Sequence, residues 1–250
     1  MWNIYDDLIN SIPPGIMIDD YNSGSSWTMI TAGNGCGVAR TVMSQTRLGI
    51  SSERIRGEQL HHIAAGVKSW SFTEASFGMA AINAYYNTPQ NVTALGYELS
   101  PDVAKNKNNN AFDMFADECV GKNVAVIGHF PNIEKRLAPI CSLSILERDP
   151  FDDDYPDSAC EYILPYQDFV FITGMTFTNK TLPRLLQLCI NAKVALVGPS
   201  VPLAPLLFDY GVDYLCGFCV IDKSLASDCI KKGSRGDVFS AGVMLDISKR

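Results

Sequence analysis

Four apolar runs in the second half of the chain constrain the fold more than any other feature. They are Asn123–Phe130 (NVAVIGHF), Ser142–Glu147 (SLSILE), Asp168–Gly174 (DFVFITG) and Lys193–Gly198 (KVALVG). In each, the polar residues follow the run instead of alternating within it, and helix-like segments lie between the runs. That is the pattern of buried parallel strands. Tyr214–Asp222 (YLCGFCVID) reads as a fifth core strand. In an open parallel sheet, ligands bind in the crevice outside the carboxyl ends of the strands. His129, Glu147, Thr173, Asn179 and Ser200 are therefore expected along one edge.

The first part of the chain has a different grammar. Ile4–Ile12 reads as an amphipathic helix stopped by Pro13 and Pro14. Ile16–Tyr21, Trp27–Ala32 and Gly37–Met43 read as an antiparallel meander. Two helices follow, Gly57–Ser69 and Thr73–Tyr86, each with an apolar or small-residue stripe. Thr73 is the expected N-cap of the second, with Ser76 as the other candidate. The glycine cluster Gly33–Gly37 precedes a strand-like run, so it reads as a hairpin turn. A phosphate loop would open a helix instead. Leu99–Asn110 (LSPDVAKNKNNN) is polar and turn-like and reads as a linker. Asp113–Cys119 reads as a short helix. The chain thus divides into a smaller α+β domain, 1–110, and an α/β Rossmann-like domain, 111–250.

Composition narrows the partners. The 250 residues are 47% hydrophobic and 19% charged, suited to a globular core. A formal net charge of -7 disfavours non-specific binding to nucleic acid. No apolar run approaches the roughly 18 residues that span a bilayer. The acidic, amphipathic N-terminus lacks the grammar of a secretory signal. A cytoplasmic location is expected. The eight cysteines are scattered through apolar stretches. Cys216 and Cys219 form a C-x-x-C, but in a strand positions three apart face opposite sides. No second pair completes a zinc site. Buried, reduced, structural cysteines are expected.

The loops carry the chemistry. The first strand runs into GHFPNIE instead of G-x-G-x-x-G, so the usual pyrophosphate-binding turn is not present. Pro131 can open a helix and so place His129 at its N-terminus. His129 suits proton transfer or metal ligation, or simply packs the turn. Glu147 lies about 20 residues after Gly128, where an acidic residue commonly holds ribose hydroxyls. Asp149, Asp152, Asp153 and Asp154 could hold a hard cation or form a solvated loop. Thr173 and Gly174 make the next turn, and Asn179 or Thr181 can cap the following helix. Together they form an anion-binding surface, or a cap and nothing more. Gly198 and Ser200 lie in GPSVPLAP, which is no nucleophile elbow.

The set GHFP, LER-P, TG with N-x-T, and GPS-x-P resembles the heavy-metal chelation domain family of prokaryotic proteins. SWT and E-x-S-x-GMAAINA-Y-N are similar to that family's preceding domain, which resembles the enolase N-terminal fold. The resemblance covers nearly the whole chain. It implies a cleft between the two domains that binds a small polar ligand or metal chelate. The implied roles are heavy-metal chelation, or condensation and hydrolysis in making a pterin-, flavin- or siderophore-like chelator. It also implies partial likeness to methyltransferase-type Rossmann domains. The residues carried over are Trp27, Glu74 and Asn83 from the first domain. From the second come His129, Glu147, Thr173, Asn179 and Ser200, with Gly128, Phe130, Gly174, Thr181 and Gly198 beside them. His129 and Glu147 are the catalytic candidates. A metal ion is the candidate cofactor, and a second copy of the chain a candidate partner. Asn83 or Glu74 is expected close to the GHFP loop. Two rival readings stand beside this one. They are an S-adenosylmethionine-dependent methyltransferase-like enzyme and a non-catalytic metal-binding carrier.

Overall fold

A computed structural model describes residues 1–43, 55–97, 99, 110–233 and 237–249. The chain opens with helix α1, Asn3–Asn10, whose Ile4, Tyr5, Leu8 and Ile9 form one buried stripe. Three strands follow, β1 Asp20–Ser23, β2 Trp27–Ala32 and β3 Gly35–Arg40, paired antiparallel in the order β1-β2-β3. The meander is therefore present. Its first strand is displaced towards the turn: of the expected run Ile16–Tyr21, only Asp20 and Tyr21 pair with β2, while Met17 bridges instead to Gln59. Gly33 and Asn34 make a two-residue hairpin turn between β2 and β3, with Gly33 at φ +52°.

The two helices after the meander are α2, Leu60–Ala64, continued by one 3-10 turn to Lys68, and α3, Phe72–Tyr86. The N-cap of α3 is Ser71, whose hydroxyl accepts the Glu74 N–H. Thr73 is exposed, with its hydroxyl on the Val42 carbonyl, and Ser76 is bonded within the helix to the Phe72 carbonyl. Neither is free to cap. The small residues of α3 allow backbone to lie on backbone. An ideal Cβ on Gly37 would sit 2.0 Å from the Ala84 nitrogen, and one on Gly35 2.0 Å from the Ala84 oxygen. A short helix α4, Pro89–Ala94, follows. The linker reading at 99–110 lies outside the described residues except at its two ends. The expected helix Asp113–Cys119 is two short helices, Ala111–Met114 and Ala116–Cys119, broken at Phe115.

The rest is a seven-stranded sheet. Its strands in chain order are β4 Asn123–Ile127, β5 Ser142–Glu147, β6 Tyr155–Pro156, β7 Phe169–Thr173, β8 Lys193–Val197, β9 Tyr214–Val220 and β10 Gly242–Ser248. The spatial order is β10-β9-β8-β7-β4-β5-β6. All neighbours are parallel except β10, which runs antiparallel on the edge. The chain moves outward from β4 through β5 to β6. It then returns to the other side of β4 for β7, β8 and β9. The order reverses at β4 and β7, the topological switch point of a doubly wound sheet.

Both faces are covered. Val124, Val126, Phe169, Phe171, Ala195 and Cys216 pack with Phe112 and Phe115 on one side. Ala125, Val170, Ile172, Leu196 and Leu215 join a core on the other side that includes Leu8, Ile30, Met79 and Ile82 from the N-terminal unit. The residues of each strand alternate between the two, as pleating requires. Cys216 and Cys219 fall in opposite cores and are both fully buried. Burial pushes the Cys219 thiol up to about 12. Among the described residues, no helix is long and apolar enough to cross a membrane.

Candidate functional site

Because β4, β5, β7 and β8 are parallel neighbours, the segments after them meet at one sheet edge. Gly128, His129 and Phe130 follow β4; Glu147 ends β5; Thr173 ends β7 and Gly174 follows it; Gly198 and Ser200 follow β8. The β4 and β7 loops touch. Gly128 turns at φ +99°, and an ideal Cβ there would come within 3.1 Å of the Thr173 methyl carbon. Only glycine allows this turn so close to its neighbour.

His129 is held on every side by carboxylates. Its backbone N–H donates to Glu147 Oε2 at 2.9 Å. Its Nδ1 lies 2.9 Å from Asp154 Oδ2, and its Nε2 lies 3.2 Å from Glu134 Oε1. The Asp154 side chain is only 4% exposed. The hydrogen bond to Asp154 raises the His129 pKa above its ordinary value, with the charges of Glu134 and Glu147 acting in the same direction. Both ring nitrogens face acceptors, so the protonated imidazolium is the form the site favours. Of the acidic run, Asp149, Asp152 and Asp153 are exposed, and Asp154 alone turns inward. It also accepts the Phe151 N–H at 3.2 Å. Pro131 does not open a helix. Asn132 turns left-handed at φ +60°, and the helix begins at Ile133. His129 is thus positioned by carboxylates and not by helix amides.

The remaining candidates separate into two groups. Several satisfy the protein itself. Phe130 packs edge-on to Phe112, with ring centroids 5.0 Å apart. Trp27 is buried against Phe239, with the Arg40 guanidinium 5.6 Å above its ring. Asn179 Oδ1 accepts from the Thr181 N–H at 3.1 Å and its hydroxyl at 2.7 Å, which closes the turn before the helix Leu182–Leu188.

The others lie where the N-terminal unit meets the sheet edge. Ser200 accepts the Arg40 N–H on its hydroxyl at 2.9 Å. Asn83 donates to the Val38 carbonyl at 2.8 Å and to the Pro199 carbonyl at 3.2 Å. Both acceptors are carbonyls, which fixes which end of the amide is nitrogen. Its Oδ1 is then a buried acceptor with no donor. Gly174 packs under the Ser200–Val201 backbone. Glu74 takes the Ser69 hydroxyl on Oε2 at 2.5 Å and faces Lys180. The contacts of Asn83 and Glu74 therefore lead to the loop after β8 and to the turn at Lys180. Sequence reading missed Lys180 because a lysine in a polar loop carries no motif. It also missed Glu134 and singled out no one member of the aspartate run.

These features define an α/β protein whose polar groups gather at the switch point of a parallel sheet and along its seam with an α+β unit. The chain belongs to the DUF364 family, described as "Putative heavy-metal chelation", whose profile matches residues 110–249. A second profile with the same description, DUF4213, matches residues 5–86. An uncharacterized protein of Methanocaldococcus jannaschii is 30% identical over 209 residues, covering 81% of this chain and 77% of that protein. A crystal structure of a DUF364 protein of unknown function from Desulfitobacterium hafniense superposes with a TM-score of 0.92 at 43% identity. It covers 100% of this chain and 99% of the other. A DUF364 structure from Pyrococcus horikoshii shares the fold, with a TM-score of 0.80 at 22% identity and 98% coverage of both chains.

Proposed function

We propose that the chain binds an organic chelator or its metal complex in a cleft between residues 1–110 and 111–250, and acts on it by proton transfer in the cytoplasm. The observation that carries this reading is His129, which follows β4 at the switch point with Asp154 and Glu134 on its two nitrogens. A carboxylate on Nδ1 orients an imidazole and holds its proton, the arrangement a general acid needs. Glu147 gives one oxygen to the His129 N–H and the other to the Arg148 N–H. A carboxylate has about four lone-pair sites, so it retains capacity for a ligand hydroxyl. Asn83 Oδ1, buried without a donor, supplies a second acceptor for a ligand N–H or O–H.

A chelate fits better than a bare cation. Among the described residues, no three His, Cys, Asp or Glu side chains are arranged to hold a metal ion. The metal's donors would then come from the organic molecule, and the protein would recognise that molecule's hydrogen-bonding groups. Proton transfer at His129 suits condensation or hydrolysis steps on such a ligand.

Native mass spectrometry and elemental analysis of untagged protein test the reading. The expected result is a co-purifying organic molecule, alone or with metal, that is lost in His129→Ala. Metal bound with no organic component would favour a carrier and overturn it. Heat on titration with S-adenosylmethionine, abolished by Glu147→Gln, would favour the methyltransferase-like alternative.

A further inference from the structure

His129 and Glu134 are reachable from solvent at the switch point. The imidazole is 27% exposed and the Glu134 side chain 50%, and His129 Nε2 lies 3.2 Å from Glu134 Oε1. Glu134 is not needed to place the ring. Asp154, almost wholly buried, already holds Nδ1 at 2.9 Å, and Glu147 holds the backbone N–H. An ion pair between two accessible side chains adds little to stability. The pair instead has the dimensions of two ligands on one metal. Metal bonds of about 2.0–2.2 Å put a nitrogen and an oxygen about 3.3 Å apart at a tetrahedral centre and about 2.9 Å apart at an octahedral one. The carboxylate on Nδ1 is the outer partner that a metal-bound histidine ordinarily has.

We infer that His129 Nε2 and Glu134 Oε1 form a transit site for a divalent transition-metal ion, passed to or from the chelator bound at this edge. The inference rests on the chelator-binding reading and names the step carried out there. Imidazole with carboxylate suits zinc, nickel or cobalt, whereas an all-oxygen set suits calcium or magnesium. Among the described residues, no third His, Cys, Asp or Glu completes the set. Two protein ligands do not close the coordination shell as a structural site does. They leave its other positions to the donors of an organic molecule, which is what transfer requires and storage does not. In the step, the metal forms bonds to Nε2 and to Glu134 Oε1 as its bonds to two chelator donors break. The proton on Nε2 passes to one of those donors. The reverse step loads the chelator, and nothing is oxidised or reduced. Proton transfer at His129 and metal transfer are then two sides of one exchange.

The test titrates the intact, untagged chain with nickel nitrilotriacetate, a chelate with two open positions for two protein ligands. Paramagnetic broadening is followed at the His129 ring signals, which separates this site from His61 and His62. Broadening at His129 is expected in the native chain, and its absence overturns the inference without any variant. Glu134→Gln decides the role of the carboxylate. As a metal ligand, Glu134 makes the affinity at His129 fall by about tenfold or more on substitution. As an ion-pair partner only, it competes with the metal for Nε2, so its loss would leave the affinity unchanged or raise it. Either of those results overturns the inference. An unchanged melting temperature in Glu134→Gln separates lost ligation from lost folding. A co-purifying organic molecule that depends on His129, together with chelate binding indifferent to Glu134→Gln, would leave the chelator reading standing and sink the transit site alone. Chelate binding that needs both residues, in protein that carries no organic molecule, would sink the chelator reading alone.

Discussion

Asn87 accepts the Leu203 N–H on its Oδ1 at 2.7 Å, joining the end of α3 to the segment after β8. The same amide donates to the Val201 carbonyl at 2.9 Å and to the Phe218 carbonyl at 3.1 Å. It is fully buried, and both of its ends are paired across the seam. Asn83, one turn earlier, is equally buried, yet its Oδ1 has no donor. The two asparagines should therefore behave differently. Asn87→Ala leaves three buried backbone groups unpaired and is expected to cost roughly 3 kcal/mol. Asn83→Ala also removes an unsatisfied acceptor, so its cost should be nearer about 1 kcal/mol. Its main effect should fall on ligand binding. Urea unfolding of both variants, with unchanged m-values, checks the order; equal costs would contradict it.

The glycines of the hairpin divide in the same way. An added Cβ at Gly37 meets Ala84 backbone nitrogen at 2.0 Å and Ala80 backbone oxygen at 2.2 Å. Backbone cannot give way there without moving α3 off β3. Gly37→Ala is expected to cost about 4 kcal/mol or more, or to prevent folding. At Gly33 nothing lies within 4 Å, and the only penalty is φ +52°. Gly33→Ala should cost about 1 kcal/mol. Thermal melts of the two variants make the comparison.

That contrast also marks what the sequence could reveal. Apolar runs bounded by polar turns located five strands of the sheet and the edge that gathers His129, Glu147, Thr173 and Ser200. Periodicity and turn residues account for that success. The hairpin at Gly33 was equally legible, but the role of Gly37 was not, because close helix-strand approach depends on a partner 47 residues away. Strand β10 escaped notice because buried Val243, Leu245 and Ile247 alternate with half-buried Gly242, Met244 and Asp246 on an edge, unlike the continuous apolar runs of the inner strands. The His129 partners were hidden for a similar reason. Glu134 and Asp154 are ordinary loop and helix acids until the chain brings them to the imidazole. Pro131 misled because a proline that can begin a helix is compatible with a turn as well.

Asp246 predicts a pH effect. It stands opposite Cys216 in the β9–β10 register, and its Oδ2 is buried with no hydrogen-bond partner. Burial raises its pKa, and the Cys216 thiol opposes that only in part. A carboxyl raised in the folded state destabilises the fold when ionised. The cost is absent below the unfolded value, grows as pH rises through the two pKa values, and is full above the folded one. Asp246→Asn should therefore stabilise the protein at neutral pH, by about 1 kcal/mol. The gain should shrink as the pH falls into the carboxylate range. Denaturant midpoints measured across that range test it. A gain independent of pH would point to packing instead of charge.

The last prediction concerns His129, where the sign is opposite. Its pKa is raised, first by the hydrogen bond to Asp154. A histidine raised in the folded state contributes stability that is fully present below its unfolded value, about 6.5. That contribution is lost as pH rises through the folded value. Asp154→Asn removes the carboxylate that holds the proton, and its amide cannot replace the charge. The His129 resonance, assigned by its loss in His129→Gln, should titrate above 6.5 in the native chain. It should move down in Asp154→Asn, with Glu134 and Glu147 still pulling it upward. The stability gap between the native chain and Asp154→Asn should be widest on the acid side of 6.5, while Asp154 is still ionised, and should narrow as the imidazole deprotonates. If the resonance titrates at or below the ordinary value, or stays put in Asp154→Asn, the imidazolium–carboxylate pair is not what holds this edge. The proposed general acid would then lose its proton before neutral pH.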